Sequence, residues 1–199
     1  MTNCRIFINA GHSPNGQPDP GAVNEELNLK ESDITWYVAN KVKVFLEDVG
    51  YQPRVVQSDS LELVVDASNH YNPELFVSLH CNAADNKAAS GTETWYMTGS
   101  GDGLLAAGMI QNNIMKAIHL NDRGLKVSIP GVSGLYVLKH TDAPAVLVEM
   151  AFISNEYDAR ILGDKRKLDV ISAAIARGIS DYHAVKNKRY FEGEDIHNG

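Results

Sequence analysis

The chain is predicted to be a single α/β domain, a sheet with helices on its faces. Three observations predict it. Apolar runs of strand length alternate with stretches of helical periodicity. The runs are nearly continuous rather than alternating, as in strands buried on both faces. The 199 residues suffice for one sizeable core but not for two ordinary domains.

Taken in order, residues 5–10 (RIFINA) read as the first strand, stopped by Gly11-His12-Ser13-Pro14. Residues 11–30 are rich in Gly, Pro, Asn and Asp and read as a loop, long enough to suggest function. A helix is expected over 31–49, with Ile34, Tyr37, Val38, Val42, Phe45 and Leu46 at helical spacing and Gly50 as its stop. Residues 52–56 read as a short strand, and Pro53 suits an edge or a strand start. A helix over 60–71 precedes the apolar strand 75–80, and a polar loop over 82–90 precedes the alternating strand 92–97. A helix is expected over 102–119, a Gly-containing loop over 121–133, and strands over 135–138 and 145–149. Asn155 reads as a helix N-cap with Asp158 three residues on. The last helix, over 165–183, is marked by Leu168, Ile171, Ile175 and Ile179. Residues 1–183 are therefore the expected domain and residues 184–199, charged and without hydrophobic period, a C-terminal tail.

Composition excludes several classes. A net charge of −7 lacks the basic face of a nucleic-acid binder. No apolar run is long enough to span a membrane. Cys4 and Cys81 make no disulfide framework and lack structural zinc spacing, so both read as small buried hydrophobes. The N-terminus has no basic start, apolar helix or cleavage site, so no signal peptide is expected in this chain.

Three strands end in metal-competent or acid–base side chains: the first at His12, the third at His80, and strand 145–149 at Glu149. The carboxyl ends of strands are where open α/β sheets build their sites. Two histidines and one carboxylate make a catalytic zinc set with a fourth position for water. Glu25, Glu26 and Glu31 can supply the carboxylate. His140, in the loop before the Glu149 strand, is a further candidate to approach substrate. His70, His119 and His183 read as surface or capping residues, and His197 lies in the expected tail.

Four segments carry a family resemblance. They are Ile8-Asn9-Ala10-Gly11-His12 with Asp19-Pro20-Gly21-Ala22-Val23, Leu29-Lys30-Glu31-Ser32-Asp33, Leu75 through Ala83 (LFVSLHCNA), and Pro144 through Glu149 followed by Phe152-Ile153-Ser154-Asn155. Together, in this order, they resemble the zinc-dependent N-acetylmuramoyl-L-alanine amidases of the amidase-3 family, the cell-wall hydrolases. The resemblance implies a mixed, mostly parallel six-stranded sheet flanked by helices, phosphorylase/hydrolase-like, as in zinc exopeptidases. It implies one Zn2+ ion on His12, Glu31 and His80, with Glu31 taken from the Lys-Glu-x-Asp element, and Glu149 as the catalytic carboxylate. Asn82 is expected to orient its loop or touch substrate, and Arg123-Gly124 to serve packing and cleft shape. Ser13-Pro14 and Cys81 depart from the usual family residues. Neighbours on a strand face opposite ways, so Cys81 is not expected to share the metal with His80.

The implied reaction is hydrolysis of the amide bond between N-acetylmuramic acid and L-alanine in peptidoglycan. The rivals are another zinc peptidase or amidase acting on a free peptide, and an inactive peptidoglycan-binding module. Some members of the family plug their zinc site with a helix inserted after the His80-like motif. Here only residues 83–90 separate Asn82 from Gly91, too few for such a helix, so no obligatory protein activator is expected. The expected place of action is the cell wall, reached either by release from the cytoplasm, endolysin-like, or as an exported enzyme trimmed of its signal.

Overall fold

The computed structural model describes residues 4–192. Its elements are β1 (Arg5–Ala10), β2 (Val23–Asn24), β3 (Leu29–Lys30), α1 (Glu31–Asp48), β4 (Gln52–Gln57), α2 (Leu61–Tyr71), β5 (Leu75–Asn82), β6 (Thr92–Met97), α3 (Gly101–Ala117), β7 (Asp122–Ser128), α4 (Tyr136–His140), β8 (Ala145–Phe152), α5 (Glu156–Leu162) and α6 (Lys165–Glu192). Six strands form one sheet in the order β4-β1-β5-β8-β6-β7, and β2 pairs with β3 in a small hairpin. β4, β1, β5 and β8 run parallel, β6 lies antiparallel to β8, and β7 is parallel to β6. This is the expected mixed, mostly parallel six-stranded sheet. Pro53 sits on the edge strand β4, where a missing N–H is tolerated.

The two faces of the sheet are covered unequally. Ile6 and Ile8 of β1, Leu75, Val77 and Leu79 of β5, and Val146, Val148 and Met150 of β8 join the large core under α1, α3 and α6. The alternate residues Phe7, Phe76, Ala145 and Leu147 pack in a smaller cluster with Val64 and Val65 of α2 and Val137 and Leu138 of α4. Because side chains alternate between faces, Asn9, Ser78, His80 and Glu149 fall on the second, thinly covered face. Cys81 points into the large core, as expected.

Three elements differ from the sequence reading. Residues 122–128, expected within a loop, form the edge strand β7. Gly124, at φ 72°, sits where the β6–β7 register shifts, so the glycine that suggested a loop marks a bulge. Residues 135–138, expected to be a strand, instead lead into and form most of the one-turn helix α4 (Tyr136–His140); four apolar residues carry too little period to separate the two states. The last helix continues past residue 183 to Glu192, so residues 184–192 extend α6 rather than begin a tail. Lys186 holds this extension to α3 through Asp102 at 2.7 Å and lies 3.2 Å from the Tyr182 hydroxyl. Residues 193–199 lie outside the described residues.

α3 and α6 pack backbone against backbone at Gly178. A Cβ there would stand 2.5 Å from the Ile110 Cα and 2.9 Å from its backbone nitrogen. Gly178→Ala would gain about 1 kcal/mol of helix propensity, but contact with backbone cannot be relieved by a rotamer change, and overpacking costs about 1–3 kcal/mol. A net loss of stability is expected. Gly108→Ala on α3 meets only Leu125 Cδ1 at 3.9 Å and is expected to raise stability. Paired thermal melts of the two variants check the sign.

Candidate active site

The site is built where β1 and β5 end and α1 begins. Past β1, the Gly11 N–H donates to the Leu79 carbonyl at 3.0 Å, holding the chain against β5. His12 then adopts φ 69°, a conformation uncommon for a residue with a side chain. The following loop closes on itself through the Asp19 N–H to Ser13 Oγ and the Gly21 N–H to Asp19 Oδ1, at 3.1 and 2.9 Å. Glu31, the first residue of α1, is buried. Its Oε2 accepts from the Ala22 N–H at 2.9 Å and its Oε1 from the Cys81 N–H at 2.8 Å.

Glu31 Oε1 also lies 3.0 Å from His12 Nε2 and 3.0 Å from His80 Nδ1. Donor atoms of His12, Glu31 and His80 all fall within 4.8 Å of one another. The outer nitrogen of each ring is occupied. His12 Nδ1 is 2.8 Å from Asp19 Oδ2. His80 Nε2 is 3.1 Å from Ser78 Oγ, whose own proton goes to Asn9 Oδ1 at 2.7 Å. In the neutral rings these partners fix the tautomer, leaving the lone pairs of His12 Nε2 and His80 Nδ1 directed inward. Glycines make room for both rings. A Cβ at Gly11 would lie 2.4 Å from His80 Cε1, and one at Gly21, where φ is +68°, 2.5 Å from His12 Cδ2.

The electrostatics follow from this packing. Burial alone would lower the His12 pKa, but the hydrogen bonds and charges of Glu31 and Asp19 outweigh it and hold the ring at about 9. Burial opposes ionisation of Glu31, yet the two imidazoles keep it well below the usual carboxylate range.

Glu149 stands one strand away. In register, His80 on β5 pairs with Glu149 on β8, and Glu149 pairs with Glu93 on β6. Arg123 on β7 completes the row, its Nε 2.7 Å from Glu93 Oε2 and its guanidinium 4.8 Å from the centre of the Phe152 ring. Burial first, then the charges of Glu31 and Glu93, push Glu149 up to about 7 against the opposing pull of His80 and His12. Its Oε2 is buried and has no hydrogen-bond partner among the described residues.

The structure thus brings His12, Glu31, His80 and Glu149 together. Glu25 and Glu26 line a separate surface hollow with Tyr157 and Arg160. Asn82 orients its loop: its Oδ1 accepts from the Ala83 N–H at 2.9 Å and its Nδ2 donates to Glu93 Oε1 at 3.2 Å. His140 is not part of the group. It lies on α4, stacked on Tyr136 at 4.1 Å, with its carbonyl bonded by Asn69 near the end of α2. That places it at the amino-terminal end of β5 and β8, opposite the site, because the segment joining β7 to β8 returns to the start of β8. Sequence reasoning missed Asp19, Ser78 and Asn9 as supports of the imidazoles, and Glu93 with Arg123 as neighbours of Glu149. Strand alternation placed Ser78 on the face of His80; nothing in the sequence showed which strands would be neighbours.

Comparison with known proteins decides the family. The family model described as N-acetylmuramoyl-L-alanine amidase matches residues 6–181. The chain belongs to the N-acetylmuramoyl-L-alanine amidase family. It is 26% identical to the germination-specific N-acetylmuramoyl-L-alanine amidase of Bacillus subtilis, over 91% of this chain and 80% of that protein. An N-acetylmuramoyl-L-alanine amidase of Nostoc punctiforme superposes with a TM-score of 0.81 at 27% identity, covering 91% of this chain and 97% of that one. The CwlD amidase of Clostridioides difficile, solved in complex with the GerS lipoprotein, superposes with a TM-score of 0.81 at 26% identity, covering 92% of this chain and all of that one. As an amidase of this family the chain is an enzyme, a hydrolase of the cell-wall-degrading kind, and the family is generally zinc-dependent. Among the described residues no helix is long and apolar enough to cross a membrane.

The Glu93–Arg123 pair gives a test of this amidase's supporting framework. Arg123→Met leaves a buried carboxylate short of a partner, which costs about 1–3 kcal/mol. Adding Glu93→Gln, which removes the charge, should recover most of the loss. Denaturant unfolding of both single variants and the double variant measures the coupling.

Proposed function

We propose that the chain hydrolyses the amide bond between the lactyl group of N-acetylmuramic acid and the L-alanine of the peptidoglycan stem. In this reading one zinc ion is held by His12, Glu31 and His80, and Glu149 moves the protons. The observation that carries it is the convergence of two imidazole nitrogens on one carboxylate oxygen, with an unpaired buried carboxylate on the next strand. The donor set suits zinc, since two nitrogens and one carboxylate oxygen leave a position for water. When bound, zinc lowers the pKa of a coordinated water to about 7 and polarises a carbonyl oxygen.

The chain's own residues account for the remaining work. Asp19 and Ser78 hold the imidazoles in one tautomer. Glu149, held near 7, can accept a proton from the attacking water and give it to the departing nitrogen. Water oxygen bonds to the carbonyl carbon, the C–N bond breaks, and the products are the lactyl carboxylate and the free amine of the stem peptide. An inactive module would not require all four of these side chains in this arrangement.

The segment between β5 and β6 contains turns and no helix. This supports an amidase that works on peptidoglycan without an activator to withdraw a plug, although the CwlD amidase was solved with a lipoprotein. The purified chain with zinc should release intact stem peptides from isolated peptidoglycan, detected by mass spectrometry. Release only after adding a second protein would overturn the activator-free part, and peptides cut internally would overturn the amidase assignment.

Glu149→Ala is expected to lower turnover by about 10²–10⁴-fold or more, the usual contribution of a positioned acid–base group, while zinc content stays unchanged. His12→Ala is expected to lose zinc and activity together. Metal analysis beside the turnover assay separates the roles; a Glu149 variant that also lost zinc would make Glu149 a ligand.

A further inference from the structure

β1 and β5 carry chemistry at both ends. His12 and His80 follow their carboxyl ends, while Cys4 and Glu74 immediately precede their amino ends. There they meet His183 of α6, and the donor atoms of Cys4, Glu74 and His183 all lie within 4.8 Å of one another. Cys4 and His183 are buried, whereas the Glu74 side chain is 43% exposed. His183 was expected to be a surface or capping residue; it is neither. Its Nε2 lies 3.2 Å from Glu74 Oε2 and its Nδ1 3.4 Å from the Tyr51 hydroxyl.

We propose that Cys4, Glu74 and His183 form a second transition-metal site, for zinc or an ion of similar chemistry, at the end of the sheet opposite His12 and His80. A thiolate, an imidazole and a carboxylate form a borderline-soft set that suits such ions and not magnesium or calcium. The donors sit on fixed backbone: the Cys4 carbonyl accepts from the Gln52 N–H at 2.9 Å, and the Glu74 N–H donates to the Arg5 carbonyl at 2.8 Å. The Tyr51 hydroxyl can accept a hydrogen bond from His183 Nδ1–H, which leaves the Nε2 lone pair free to be the ligand. The exposed side of Glu74 gives an ion its route in and leaves space for a water ligand.

Charge balance is simple. Without an ion, burial and then Glu74 hold the Cys4 thiol protonated, up to about 12, with Lys186 pulling the other way. Cys4 is therefore no free thiolate nucleophile. On binding, the thiol proton leaves to solvent and the ion takes its place beside the Glu74 carboxylate. The site would tie the starts of β1 and β5 to α6, joining by one ion elements far apart in sequence.

The test uses the whole 199-residue chain, stripped of metal and loaded with Co(II). A set of His12, Glu31 and His80 contains no sulfur, so a near-ultraviolet thiolate-to-Co(II) charge-transfer band reports a cysteine ligand. The band is expected in the wild type and in His12→Ala. It is expected to vanish, with loss of one metal equivalent, in Cys4→Ser. Glu74→Gln changes a half-exposed side chain and should fold regardless; it is expected to weaken Co(II) binding at the thiolate site by about tenfold or more, as even outer-shell losses cost 10–100-fold. Wild type without the band, a band that survives Cys4→Ser, or unchanged affinity in Glu74→Gln would overturn the proposal. The catalytic zinc set stands or falls separately: His12→Ala retaining all its metal would refute that set and leave the second site intact.

Discussion

The buried carboxylate of Glu31 is the point on which the rest of this molecule turns. A carboxylate removed from water is costly unless its oxygens are fully engaged. Here Oε1 faces two imidazole nitrogens and one backbone N–H, and Oε2 takes a second backbone N–H. Those partners come from the loop after β1, from β5 and from the segment leading into α1. None of them is a neighbour of Glu31 in sequence, so the charge can be buried only when the sheet and α1 have assembled. Its position in the first turn of α1 is favourable for an anion, which links the start of a core helix directly to the site.

The unequal covering of the sheet explains where the cleft lies. Apolar residues on both faces stabilise β1, β5 and β8, but α1, α3 and α6 cover one face while α2 and α4 cover only part of the other. The polar residues Asn9, Ser78, His80, Glu149 and Glu93 all lie on the second face, where strand alternation leaves them free of the large core. A parallel sheet buried equally on both sides would have had no place for them. Ser78 and Asn9 satisfy each other, so of these polar residues only Glu149 keeps a buried oxygen without a partner among the described residues.

Much of this was legible in the sequence because it depends on local pattern. Apolar runs located most strands of the sheet, and helical spacing located α1, α2, α3 and α6. The polar residue after each apolar run pointed to His12, His80 and Glu149. What was not legible depends on register or on tertiary support. β7 was hidden because its glycine signals a loop and a bulge equally well. The extension of α6 has no hydrophobic period of its own and stands on a continuing helix and on Lys186. Asp19 lay within a motif but acquired a purpose only when the loop folded it against His12. Arg123 was read as packing, and only the order β8-β6-β7 revealed it as the counter-charge to Glu93.

That counter-charge bears on the chemistry. Two carboxylates paired across adjacent strands repel, and the charge of Glu93 helps to raise the pKa of Glu149. Arg123, Asn82 and the Trp95 indole N–H, at 2.7, 3.2 and 3.1 Å, all serve Glu93 and none serves Glu149. The row therefore assigns different tasks to two identical side chains. Glu93 is saturated with donors, while Glu149 keeps an unpartnered oxygen and a pKa near neutrality. Environments that push two carboxylates apart are how one fold separates a structural acid from a working one, and here the separation follows from which strand faces β7.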